Sequence, residues 1–154
     1  MSTKTITTCL ASLVVALFVL LSGCGTMKGY SGEQLPASQT ALIRNSSHFP
    51  EIVTIESVDN NRLGIGQTKV VVLPGSHQLY VHLLRNRFLW GEANANGIVN
   101  VFAEAGHEYT IEGTFESYIE FAPSNPTFWV VDVKTGEIVG GRKPWRDYPK
   151  KSKE

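Results

Sequence analysis

Glu108-Tyr109-Thr110-Ile111-Glu112-Gly113-Thr114-Phe115-Glu116 divides by parity into two chemically different sets. Its odd positions hold Tyr109, Ile111, Gly113 and Phe115, and its even positions hold Glu108, Thr110, Glu112, Thr114 and Glu116. Successive side chains of an extended chain point to opposite sides, so this pattern is a strand with one core face and one wet face. The four-residue glutamate spacing would also suit a helix face. Thr110, Ile111, Gly113 and Thr114 decide against it, because β-branched residues and glycine are poor helix formers.

Outward from this strand, residues 41–141 alternate short β-branched or aromatic runs with turn residues, and no segment sustains a helical apolar stripe for three turns. Strands are expected over 41–44, 52–58, 68–73, 77–84, 98–103, 108–115, 127–133 and 137–139. The punctuation between them is Asp59-Asn60-Asn61, Pro74-Gly75, Asn94-Ala95-Asn96-Gly97, Glu104-Ala105-Gly106, Pro123-Ser124-Asn125-Pro126 and Lys134-Thr135-Gly136. Seven to eight strands in about 100 residues predict an all-β fold, an antiparallel immunoglobulin-like or prealbumin-like β-sandwich. The whole chain, 154 residues of which 42% are hydrophobic, suffices for one such domain and is too short for two.

Two stretches share the order strand, glycine turn, His-x-apolar: Val72-Leu73-Pro74-Gly75-Ser76-His77-Gln78-Leu79 and Phe102-Ala103-Glu104-Ala105-Gly106-His107-Glu108-Tyr109. Gly75 and Gly106 are read as structural turn residues. Tyr109, three residues after Gly106 at the start of a late strand, resembles the tyrosine corner of Greek-key sandwiches, whose hydroxyl bonds back to the preceding loop. The same two stretches, beginning at Val70, resemble the "strand, Pro-Gly, strand" pattern of PEGA-like β-sandwich modules and small envelope lipoproteins. That resemblance implies an accessory or binding role at the envelope surface and no catalytic activity.

The beginning of the chain carries an address. Cys9 to Leu21 is an apolar run broken only by Ser12, preceded by Lys4 and no acid. Thirteen helical residues rise about 20 Å, short of the roughly 30 Å hydrocarbon layer, so a helical signal peptide is favoured and an uncleaved membrane anchor is the alternative. Leu21-Ser22-Gly23-Cys24 resembles the lipobox of bacterial lipoproteins. The resemblance implies cleavage between Gly23 and Cys24, a diacylglyceryl group on the Cys24 thiol and acylation of the new amino terminus. At about 0.8 kcal/mol per buried methylene, two or three acyl chains anchor a protein permanently. Gly25 stands where an aspartate would retain a Gram-negative lipoprotein in the inner membrane, which implies the outer membrane, facing the periplasm or the surface. With Cys9 lost and Cys24 lipidated, no thiol remains for catalysis, a disulfide or a metal.

The predicted organisation is therefore a signal peptide over 1–23, a lipidated Cys24 with a flexible tether to residue 40, a sandwich over 41–141 and a basic aromatic tail over 142–154. The tether, rich in Gly, Ser, Thr and Gln, predicts a span of about 20–24 Å between membrane and body. Formal charge is zero, but residues 29–141 carry six Lys/Arg and twelve Asp/Glu, whereas the tail carries six cations against two acids. A dedicated nucleic-acid binder needs a surplus of clustered cations and is excluded. Trp145, Arg146 and Tyr148 of the tail, and Arg85, Arg87, Phe88 and Trp90 in the segment 85–91, mix cations with aromatics and are the candidate partner-binding residues. The membrane, an envelope protein and peptidoglycan are the expected partners.

Catalytic motifs are weak. His77 and His82, five apart on one strand, point to opposite faces and cannot share an ion, while His77 and His107 meet only if their hairpins pack together. Glu108 and Glu112 sit about 13 Å apart along a strand, too far for a glycosidase pair without a carboxylate from a neighbouring strand. Ser47-His48 and Ser76-His77 are adjacent in sequence, which says nothing about triad geometry. Gly64-Ile65-Gly66-Gln67-Thr68-Lys69 lacks the order of a phosphate loop and reads as a turn entering a strand. No cofactor and no metal are expected. The reading is a non-catalytic binding, scaffolding or assembly-accessory lipoprotein; the alternative is an envelope glycan-processing or hydrolytic enzyme with a site formed across strands.

Overall fold

A computed structural model describes residues 26–48, 50–87, 91–119 and 122–144. The described residues are all-β: β1 (Thr26–Lys28), β2 (Ala41–Arg44), β3 (Glu51–Val58), β4 (Asn61–Arg62), β5 (Lys69–Val72), β6 (Gly75–Arg87), β7 (Gly91–Ala103), β8 (Glu108–Ile119), β9 (Ala122–Asp132) and β10 (Ile138–Gly141); the expected helical signal peptide lies outside them. A 3-10 turn spans Ala37–Gln39. No helix among the described residues is long and apolar enough to cross a membrane.

Two separate antiparallel sheets were expected, but the strands form one mixed sheet of ten, ordered β1-β5-β2-β8-β9-β10-β7-β6-β3-β4. Two pairings are parallel, β1 with β5 and β2 with β8. The rest are antiparallel, built around the long hairpins β6–β7 and β8–β9. The sheet curls so that its two parts meet. Beyond β2, Ser46 exchanges both backbone hydrogen bonds with Val53 of β3, at 3.1 and 2.8 Å, and the Thr114 hydroxyl of β8 donates to Glu51 of β3 at 3.0 Å.

Alternation places the apolar residues on the inside of this curl. Ala41, Ile43, Val53, Ile55, Val70, Val72, Leu79, Val81, Leu83, Val99, Val101, Tyr109, Ile111, Phe115, Phe128 and Val130 are buried in one cluster. Each large side chain so placed contributes about 1.5–3 kcal/mol relative to exposure. In β3 the buried positions pass from odd (Val53, Ile55) to even (Val58), and the register against β6 shifts between Ile55 and Ser57. The extra residue of that bulge lets both parities reach the core.

Three stretches differ from the sequence reading. Asn94-Ala95-Asn96-Gly97, expected as a turn, lies inside β7, because its register partners Leu84 to Val81 extend the hairpin past the turn residues. Its small odd residues Ala93, Ala95 and Gly97 face inward, where the Phe128 ring lies close to Gly97. Pro123-Ser124-Asn125-Pro126 likewise falls within β9. In the expected tether, Thr26–Lys28 adds a strand to the free edge of β5, and the Gly29 N–H donates to Val71 O at 2.7 Å. An edge strand of three residues is held by backbone bonds and leaves almost no apolar pattern to read.

Tyr109 is 1% exposed, and its hydroxyl accepts the Glu104 N–H at 2.9 Å, the bond back to the preceding loop that defines a tyrosine corner. Burial pushes its phenol up, against the opposing effect of the Glu104 bond. Tyr109→Phe is expected to destabilise the fold by about 0.5–1.5 kcal/mol. Urea denaturation measures this, and a variant as stable as the parent contradicts it. Gly75 and Gly106 have φ of 131° and 78°, which side-chain-bearing residues rarely adopt.

Candidate functional site

The polar side chains gather at the two ends of the sheet. At one end the paired glycine turns place their histidines beside aspartates. His77 Nδ1 lies 2.6 Å from Asp59 Oδ2 and its Nε2 lies 2.6 Å from Leu73 O. His107 Nδ1 lies 2.5 Å from Asp132 Oδ2. Burial raises the Asp59 carboxyl, but the Gln78 N–H and His77 outweigh it and hold the group below its ordinary value. For Asp132 the His107 bond is the largest influence and lowers the carboxyl against burial, helped by the Thr135 and Lys134 N–H groups. Both pairs tie a turn to a neighbouring segment. No group of three or more His, Cys, Asp or Glu able to hold a metal occurs among the described residues.

The other end holds a polar cleft of about 290 Å³ where β3 meets β8, lined by Ser46, His48, Glu51, Glu112, Thr114 and Trp129. The β2–β3 connection supplies Ser46 and His48, whose Oγ and Nδ1 are 2.8 Å apart. β3 supplies Glu51, fixed by Arg85 of β6 at 2.8 Å and by Thr114. β8 and β9 supply Glu112 and Trp129, direct partners in register. Trp129 is 6% exposed, and its indole N–H has no hydrogen-bond partner among the described residues. Lys143 Nζ stands 5.9 Å from the centre of its ring. The cleft thus brings the carboxylates of Glu51 and Glu112 together with the paired Ser46 and His48 side chains. Among the described residues His48 is paired with Ser46 and with no carboxylate.

A third feature is apolar. On the outer face of the β6–β7 hairpin, Tyr80 and Ile98 are direct cross-strand partners, 36% and 60% exposed, and Phe102 is 60% exposed. The polar pair Gln78 and Asn100 lies between them and Phe102 on the same face.

The residues singled out from sequence are placed unequally. Arg85 is engaged by Glu51 and lies in the wall of the sheet near the cleft. Arg87 ends β6, paired with Gly91. Gly23, Cys24, Phe88, Trp90, Trp145, Arg146 and Tyr148 lie outside the described residues. Sequence reasoning passed over the cleft. The two-residue spacing of Ser46 and His48 is its one sign in the sequence, and it is Ser46, not the adjacent Ser47, that meets the ring. Comparison with family models, curated proteins and solved structures finds no match to this chain.

Proposed function

We propose that the protein is a lipid-anchored envelope lipoprotein, held by acyl chains at Cys24, whose curled, sandwich-like sheet is a non-catalytic binding or assembly module. The observation that supports the binding role is the exposed Tyr80, Ile98 and Phe102 face of β6–β7. An apolar sheet face of this kind suits a protein partner, because it gains by leaving water and needs no convergent polar groups.

The test is in-cell photo-crosslinking from position 98, with exposed Asn94 of the same strand as the control position. A discrete adduct from 98, reduced by Phe102→Asp and absent from 94, is expected. Equal yields at both positions count against the surface. Cys24→Ser is expected to leave the chain at precursor mass without a lipid, and a variant processed like the parent contradicts the anchor.

A second reading rests on the cleft. Ser46, His48, Glu51 and Glu112 converge there from separate segments, which suits recognition of a hydroxyl-rich ligand such as a glycan, or its hydrolysis.

A further inference from the structure

The lipid anchor and the fold together constrain how the body meets the membrane. Cys24 lies two residues before β1, and two residues of extended chain reach at most about 7 Å. β1 is an edge of the sheet, and its first residue, Thr26, is paired with Lys69 at the start of β5. An acylated Cys24 therefore brings the bilayer against the β1–β5 edge, with no room for a tether.

Beside that edge is the turn that precedes β5. The Gly64 N–H donates to Met27 Sδ at 3.4 Å, so the turn touches β1 itself. Its tip, Ile65, stands between Gly64 and Gly66 and is 106% exposed, more than any other large hydrophobic residue among those described. The turn is held on both flanks. Leu63 N–H donates to Glu56 O at 2.8 Å, Asn45 N–H to Thr68 O at 2.9 Å and the Asn45 amide to Gln67 O at 2.9 Å. The Leu63 side chain packs on the core. An isoleucine displayed by a braced turn loses little freedom when it enters an apolar phase. Arg62 and Lys69 flank the turn, with Glu56 the neighbouring acid, a balance that suits an anionic lipid surface.

We propose that the Leu63–Gly66 turn is a membrane-contact element, with Ile65 seated in the bilayer surface beside the lipidated Cys24, so that the domain lies on the membrane in a fixed orientation. This rests on the anchor proposed above. The occupant is lipid, because Cys24, the proposed site of the acyl chains, stands two residues before the first residue of this edge.

The experiment uses the full mature protein purified from membranes and reconstituted in vesicles of phosphatidylethanolamine with phosphatidylglycerol. Ile65→Cys, and Ile98→Cys as the comparison, carry an environment-sensitive fluorophore, and intact mass reports the state of Cys24. The expected result is a blue-shifted label at 65 quenched by brominated lipid, with the label at 98 unaffected. With Cys24 lipidated, a label at 65 as water-exposed as that at 98 overturns the membrane contact and leaves the anchor standing. A shift at 65 that follows protein density and ignores brominated lipid assigns the turn to a second copy and also overturns it. A mature chain without lipid overturns the anchor and the contact together.

Discussion

Asp132→Ala is expected to lower the free energy of unfolding by about 3 kcal/mol, a large part of the roughly 5–15 kcal/mol that holds a domain of this size together. The carboxylate is 3% exposed and collects donors from two directions. Oδ1 accepts the N–H groups of Lys134 and Thr135 at 2.7 and 3.1 Å, closing the turn after β9. Oδ2 meets His107, which follows the Gly106 turn and stacks near the Tyr109 ring. Removing the carboxylate strands all three donors. Asp132→Asn retains an acceptor for the turn and should cost about half as much. The pH dependence follows from the lowered carboxyl. Its stabilisation is complete above the ordinary value of 3.8 and disappears as pH falls through the lower folded value. The parent should therefore lose stability between pH 4 and more acid conditions more steeply than Asp132→Asn. Urea denaturation at neutral pH and below the usual carboxylate range measures both effects. An alanine variant within about 1 kcal/mol of the parent would show that the turn is held elsewhere.

Local chemistry was legible in proportion to how local it was. β2 was expected over 41–44 and occupies Ala41–Arg44, because the short apolar run Ala41-Leu42-Ile43 is bounded by polar residues on both sides. The two His-bearing turns were visible as a repeated pattern, but their aspartates were not, since Asp59 reaches one from the turn after β3 and Asp132 the other from β9. The parallel pairing of β2 with β8 joins residues more than sixty positions apart and has no sequence signature. It turned an expected pair of sheets into one mixed sheet. The cleft is of the same kind, since Ser46, Glu51 and Glu112 meet only because the sheet curls. Asn94 to Gly97 shows a local signal overruled: turn-forming residues remain extended where thirteen consecutive pairs hold them to β6.

Gly97 explains why such residues stand in a strand, and it gives the second large effect. A Cβ at position 97 would lie 2.6 Å from Phe128 Cδ2, and one at Gly113 would lie 2.8 Å from Cδ1 on the other side of the ring. Phe128 is 8% exposed and thus fills the space that two strands leave by carrying no side chain. Gly97→Val should cost about 2–3 kcal/mol through overpacking, and Phe128→Ala about 3 kcal/mol through the cavity it opens. The two costs should not add. Valine at 97 occupies part of the volume vacated by the ring, so the double variant should be more stable than the sum by about 1 kcal/mol or more. Chemical denaturation of the four proteins closes the cycle. Strict additivity would mean that the strain at 97 arises from the backbone of β7, and that the ring and the glycine are neighbours without being complementary.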